Sequence, residues 1–367
     1  MDLTFSDEQR LLADSVGDFL SQERDFLARR AQLASGVTLA PKVWQHLADQ
    51  GLLALPRSEA VGGLGGSIVD LVAVAMRFGE ALLTEPYLAT VVLAGAALEA
   101  AGTEQAKAVL ERIATGECVA AFAHEEQVSG APAAQIETSA IAKDDHVVVN
   151  GEKQFVLAAG DAKHVVVSAR YDDGVALFLL DPTASGVTIE SFTTIDGRGA
   201  GRLRLADVPL PSSALLLGDA ESVIDEIVTD AVIYLGAESV GAMDALFRMT
   251  ASYAATREQF GVPIGSFQTV AHRLADMKIA LTKAHASLLY VTALREAGRA
   301  TDADVSALKA QTGRLGRSVA EAAVQTHGGV GMTDELAVGH LLKRILANDA
   351  MFGDAELHLR RIGSRTV

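Results

Sequence analysis

The hydrophobic period of this chain changes twice, and these changes restrict its fold more than any single motif does. From Ser6 to about residue 115 apolar residues recur at helical spacing. Between Cys118 and Pro211 they fall into short runs of period two, and after Ser212 the helical period returns. A helical period cannot line one face of a strand, nor a strand period one face of a helix. The chain therefore reads as an α+β protein in three parts: an N-terminal all-α domain over residues 1–115, a middle antiparallel β-domain over 116–213, and a C-terminal four-helix bundle over 214–367.

Local signals support each part. Ser6 with Gln9 forms a capping-box pattern ahead of Leu11, Leu12, Val16 and Phe19. Residues 41–53 suit a helix opened by Pro41, and the Gly62–Gly66 run suits a turn. Residues 67–83 and 87–101 read as buried helices, with a shorter amphipathic one at 104–115. In the middle part, runs such as Val165-Val166-Val167 and Arg202-Leu203-Arg204-Leu205 are separated by turn residues with no intervening helix, which predicts an antiparallel barrel or sandwich. No strand is followed by GxGxxG and a helix, so a dinucleotide-binding βαβ unit is not expected. Further helices are predicted from about Val223 to Ala255, from Thr269 to Glu296, from Asp302 to Thr326, and from Glu335 to Phe352 and beyond.

Charge and cysteine usage exclude several function classes. Lys and Arg number 31 against 47 Asp and Glu, a net charge of -16, which repels nucleic acid and anionic membrane surfaces. Cys118 is alone, so neither an intrachain disulfide nor a cysteine-rich metal site is expected, and no metal site is assigned. The N-terminus carries acids where a secretory signal needs a basic flank, and the apolar stretch at 82–98 is interrupted by Pro86. The expectation is a cytoplasmic protein without a membrane span.

Residues 253–268, YAATREQFGVPIGSFQ, break an Ala-rich run with Arg257, Gly261, Pro263, Gly265 and then Phe267-Gln268. An arginine at a helix end, followed by an aromatic–amide pair, suits an anionic cofactor. With Phe5-Ser6-Asp7-Glu8-Gln9, the Gly62–Gly66 turn, Asn150-Gly151-Glu152-Lys153, Gly186-Val187 and the Gln325–Gly331 segment QTHGGVG, it gives a series of markers whose order and spacing resemble the acyl-CoA dehydrogenase family over essentially the whole chain. The resemblance implies FAD held noncovalently, with Arg257 and Gln268 on its dinucleotide, Phe260 packed nearby, and Gln325, His327, Gly328 and Gly329 reaching it from a neighbouring subunit. It implies α,β-dehydrogenation of an acyl-CoA to a 2-enoyl-CoA: a carboxylate takes the Cα proton, the Cβ hydride passes to the flavin, and electron-transfer flavoprotein reoxidises it. Apolar burial would raise the pKa of such a base and favour proton acceptance.

Three positions depart from the family pattern. Where an aromatic residue and the catalytic Glu are usual, this chain has Phe352-Gly353, with Asp354 and Glu356 nearby. Some members carry the base 26 residues before the matched arginine, which counts back to Ala231, with Asp230 adjacent and Glu226 about one turn earlier. One residue turns a side chain by about 100° around a helix. Beside the flavin, the family's Trp-Ile-Thr is Phe155-Val156-Leu157, and Leu157 has no hydroxyl. Upstream, His124-Glu125-Glu126 stands for Thr-Glu-Pro, and the expected Gly-Ser-Asp is blurred around Ser129-Gly130-Ala131. The dinucleotide side is thus intact while the flavin-ring side is eroded. The endings FGDAELHLRRIG and TREQFGVPIGSFQ resemble the subgroup of actinobacterial steroid and bulky acyl-CoA dehydrogenases built as α2β2 heterotetramers of unlike homologous subunits. Two readings follow: a dehydrogenase subunit using Asp230, Glu226 or Asp354, or a noncatalytic subunit that completes the flavin site and scaffolds a catalytic partner.

Overall fold

The computed structural model describes residues 4–23 and 26–364. Helices α1 (Asp7–Glu23), α2 (Phe26–Ala34), α3 (Pro41–Asp49) and α4 (Ile68–Glu80) come first. A π-helical segment, Leu88–Ala94, then runs directly into α5 (Gly95–Ala101), followed by α6 (Glu104–Ala114). The strands are β1 (Ala120–Ala123), β2 (Ser139–Lys143), β3 (His146–Leu157), β4 (His164–Tyr171), β5 (Gly174–Leu180), β6 (Val187–Thr193), β7 (Gly199–Pro211) and β8 (Leu215–Leu217). Helix α7 (Glu221–Thr256) leads through the short hairpin β9 (Glu258–Gln259) and β10 (Val262–Pro263) to α8 (Gln268–Glu296), α9 (Asp302–His327), α10 (Ala337–Ala350) and α11 (Ala355–Ser364).

The predicted α+β order of helices, sheet and helices is what the chain adopts. The capping box forms: Gln9 N donates to Ser6 Oγ at 3.2 Å, and Ser6 N donates to Gln9 Oε1 at 3.0 Å. A second box, Thr301 with Asp304, opens α9.

Two compact units emerge. The first gathers the described residues of Met1–Arg30, Ile68–Leu83 and Val232–Val367. Its core includes Val72, Val74, Ala75 and Phe78 of α4 and Val240, Met243 and Leu246 of α7, all buried. Helices α4 and α7 touch backbone to backbone, because a Cβ on Gly79 would stand 1.9 Å from Glu238 O and one on Gly241 1.9 Å from Met76 O. Any larger residue at either position would force the helices apart.

The second unit comprises Ala31–Ser67 and Thr84–Ala231. Its sheet runs β6-β7-β3-β2-β4-β5-β8, with β1 added to β4. Most pairs are antiparallel, as predicted, but β1 pairs with β4 in parallel, and Ser139 of β2 makes one parallel bridge to Arg170 of β4. Inward-facing Val147, Val149, Val165, Val167, Phe178, Leu203 and Leu205 fill its core. The π-helical segment docks on β1 through Thr90 Oγ1, which donates to Ala120 O at 2.9 Å.

Candidate functional site

One end of the helical unit collects the residues suited to an anionic dinucleotide. Helix α7 stops where Arg257 N donates to Tyr253 O at 2.8 Å, and Ile264 N closes the hairpin on Arg257 O at 2.8 Å. Phe260 turns the hairpin at φ 55, is 94% exposed, and meets Phe267 edge-on with ring centroids 6.2 Å apart. Gln268 is the first residue of α8. The second motif ends α9. His327 Nδ1 lies 2.9 Å from Ala323 O and its ring stacks on Tyr253 at 4.4 Å. A carbonyl only accepts, so Nδ1 carries a proton and donates. This stack joins the two sequence motifs within one chain. Gly328 follows at φ 64, ψ -140, a conformation open essentially to glycine alone.

Arg257, Gln268, Gln325, Gly328 and Gly329 are exposed, and a Cβ added at either glycine meets nothing within 4 Å. Among the described residues, the side chains of Arg257, Gln268 and Gln325 have no hydrogen-bond or ion-pair partner. A free guanidinium, two free amides and accessible backbone at two glycines fit an anionic dinucleotide.

The acid positions have a different setting. Ala231 is fully buried, Asp230 is half-buried and Glu226 is exposed. Asp230 adds its charge to that of Glu99 around Arg57, whose guanidinium lies 2.9 Å from Glu99 Oε2. Burial pushes Arg57 below its ordinary pKa, and Glu99, Tyr87 and Asp230 oppose that shift. Asp354 caps α11, with Leu357 N donating to its Oδ1 at 2.8 Å.

At the second base position, Phe352 and Gly353 are buried at φ 56 and φ 90. A Cβ at Gly353 would stand 2.5 Å from Leu357 Cδ2 and 3.3 Å from His358 Nε2. The loop is tied from several sides. His358 Nε2 lies 3.1 Å from Phe352 O and Nδ1 3.1 Å from Ser306 Oγ, and burial holds this histidine down to about 4. Lys309 Nζ donates to Asn348 O at 2.5 Å and Asp349 O at 2.8 Å, while Asp349 Oδ1 accepts from Ala355 N at 3.2 Å. Burial raises the Asp349 pKa, with Lys309 pulling against it.

In the β unit, Leu157 is buried at the end of β3 and Phe155 is half-buried, 6.2 Å from Phe192 between ring centroids. Sequence reasoning missed a buried polar cluster here. Lys153 Nζ donates to Glu126 Oε1 at 2.8 Å, Ser168 Oγ at 3.1 Å and His124 O at 3.3 Å. Burial pushes Lys153 down to about 8, against the Glu126 charge. Burial works to raise Glu126, yet Lys153 together with bonds from Thr138 and Glu137 N brings it down to about 2. Burial and the neighbouring Lys153 hold His124 at about 3. The available signal was strand parity, since Lys153 shares the inward face with Val147 and Val149. Among the described residues, no group of three or more His, Cys, Asp or Glu could hold a metal ion, and no helix is long and apolar enough to cross a membrane.

Helices, a mainly antiparallel sheet and a terminal bundle with a dinucleotide-type end define an oxidoreductase of the acyl-CoA dehydrogenase class. The chain belongs to the acyl-CoA dehydrogenase family: it matches that family's N-terminal domain over residues 6–117, its middle domain over 121–208 and its C-terminal domain over 221–367. It is 30% identical to the acyl-CoA dehydrogenase IpdE2 of Mycolicibacterium smegmatis over 358 residues, covering 97% of this chain and 98% of that protein. Two solved structures are similar along nearly their whole length. The ChsE4-ChsE5 complex from Mycobacterium tuberculosis superposes with a TM-score of 0.92 at 27% identity, covering 100% of this chain and 99% of that one. The Tcur3481-Tcur3483 steroid ACAD, as its G363A variant, gives 0.88 at 29% identity, covering 97% of each chain.

Proposed function

We propose that this chain is a subunit of a heteromeric, FAD-dependent acyl-CoA dehydrogenase acting on a bulky, steroid-derived acyl-CoA, in which it completes the dinucleotide site while a homologous partner supplies the catalytic carboxylate. The observation that carries this reading is Gly353: glycine stands where the family places its base, on a buried backbone at φ 90 that strains any other residue. Likeness to the ChsE4-ChsE5 complex and to a steroid dehydrogenase of paired names supports the heteromer and the substrate class.

Bound FAD supplies the hydride acceptor of the reaction. The Arg257 guanidinium offers paired donors to pyrophosphate oxygens, and the Gln268 and Gln325 amides offer donors and acceptors to phosphate or adenine edges. His327, with Nδ1 committed to Ala323 O, leaves Nε2 for a contact, and Gly328-Gly329 let a dinucleotide approach the backbone. By the family pattern, the Gln325–Gly329 contacts serve the cofactor bound to a neighbouring subunit. Asp230 supports a second reading, a base on this chain, because it is half-buried on α7 next to the alternative base position. Electron-transfer flavoprotein is the expected oxidant of the reduced cofactor.

Co-expression with the homologous subunit, followed by measurement of assembly, FAD per oligomer and turnover of a steroid side-chain CoA, tests the proposal. Full flavin occupancy and full activity in the isolated homomer would overturn it. Loss of activity in Asp230→Asn with FAD retained would establish the second reading instead.

A further inference from the structure

The turn Gly328–Met332, which carries the glycines of the dinucleotide motif, is anchored on both flanks. His327 holds the upstream flank through Ala323 O and the stack on Tyr253. Downstream, Thr333 Oγ1 donates to Val330 O at 2.9 Å, and the chain then reaches Asp334 and enters α10. His340, in the first turns of α10 and only 6% exposed, packs its ring edge-on against Phe26 of α2 at 5.0 Å. Its Nδ1 lies 2.8 Å from Arg29 Nη1. A guanidinium has no acceptor, so Nδ1 must accept and the imidazole must be neutral, with its proton on Nε2. That nitrogen is buried and lies 2.9 Å from Asp334 Oδ1, outside hydrogen-bond geometry.

Arg29 is itself fixed. It is 2% exposed, and its Nε donates to Leu82 O at 3.2 Å, where Leu82 turns the chain out of α4 at φ 56. Arg30 of the same helix approaches Asp334 Oδ2 at 3.8 Å. Hydrogen bonds therefore run from the α4 end through Arg29 to His340, whose ring lies against Asp334, two residues beyond the glycine turn.

We propose that His340 is a positioning residue for the flavin dinucleotide: while neutral it latches the 328–334 segment to α2, and its protonation releases that segment and with it FAD. The inference rests on reading Gln325–Gly329 as a dinucleotide contact. Protonation puts an N–H on Nδ1 against the N–H of Arg29, so that two donors and two cations face each other and the contact opens. The charged groups around the ring set the direction. Burial, then Arg29 from α2, and Lys343 from α10, all lower the pKa of His340, while Asp334 raises it. The latch is thus closed at and above the ordinary histidine value of 6.5 and opens below it, as pH falls through the lowered folded value.

The test uses the assembled protein as purified, at about pH 5 and about pH 8. Hydrogen exchange of the 328–334 peptide, corrected for the intrinsic pH dependence, is read beside FAD retention by flavin fluorescence. Wild type is expected to exchange faster and to hold FAD about tenfold more weakly at the lower pH. His340→Asn keeps an acceptor near the Nδ1 position but does not titrate, so its exchange and retention should not change with pH beyond the intrinsic effect. Asp334→Asn alters an exposed acid and removes the group that raises the His340 pKa, so it should move the response to lower pH. Equal wild-type exchange at both pH values, an unchanged pH response in His340→Asn, or no downward move in Asp334→Asn overturns the latch. Faster exchange without FAD loss overturns the coupling and places the failure in the dinucleotide reading of the turn.

Discussion

Two regions of the helical unit are built in opposite ways. Around Arg257, Gln268, Gln325 and Gly328 the side chains are exposed, their hydrogen-bonding groups are free among the described residues, and a left-handed glycine faces open space. Around Phe352 and Gly353 the backbone is also left-handed, but it is buried, and Lys309, Asp349 and His358 hold its neighbouring carbonyl and amide groups. The first arrangement leaves room for a ligand to supply the missing contacts. The second has satisfied its own contacts and holds a backbone conformation that favours glycine. A chain can therefore keep the cofactor end of a dehydrogenase while closing the position of its base.

The largest test of this contrast is Gly353→Glu. Restoring the family carboxylate at a buried, left-handed position should cost about 3 kcal/mol in urea unfolding and give no gain in dehydrogenation. A stable, newly active variant would break the comparison. At the open end, Arg257→Ala should weaken FAD binding by about 2 kcal/mol, roughly thirtyfold, while leaving stability within about 0.5 kcal/mol. Flavin fluorescence titration and urea unfolding measure the two quantities separately.

The third test probes the closed loop through pH. His358, lowered to about 4, is neutral in the folded protein but takes a proton at about 6.5 when unfolded. Its contribution is present above that unfolded value and is lost as pH falls from there toward about 4, at about 1.4 kcal/mol per pH unit. His124 titrates in the same direction, so the slope assigned to His358 is the part removed in His358→Gln. An unchanged slope in that variant would show that the loop does not depend on the neutral imidazole. The smallest effect belongs to Asp354→Ala, which removes the α11 cap and should cost about 1 kcal/mol with the turnover of the assembled enzyme intact. Loss of turnover in a variant that retains FAD would move Asp354 from cap to base.

The parts of the fold that depend on near neighbours were legible in the sequence. The Ser6–Gln9 box forms, and the helices expected to start at Thr269 and Asp302 begin at Gln268 and Asp302. Apolar residues at 87–101 indicated a buried helix but not that its first half is π-helical and bonds to β1 through Thr90. Period two located the strands without giving their direction, so the parallel β1–β4 pair was not foreseen. In the site, the dinucleotide residues could be picked out because they occupy contiguous motifs. The Arg29–His340 contact joins residues 311 apart, and the Lys153 cluster draws on four separate segments. Such networks depend on tertiary placement. The significance of Gly353 was visible as an absent carboxylate, but the positive φ that strains any other residue there came only with the fold.

Anaerobic mixing of the FAD-loaded chain with a steroid side-chain CoA, alone and then assembled with its homologous partner, tests the central claim most directly. Flavin absorbance should stay unbleached in the isolated chain and bleach in the assembled enzyme, with Asp230→Asn, Glu226→Gln and Asp354→Asn in this chain leaving that bleaching intact. Stoichiometric bleaching of the isolated chain, abolished by one of those three substitutions, would contradict it.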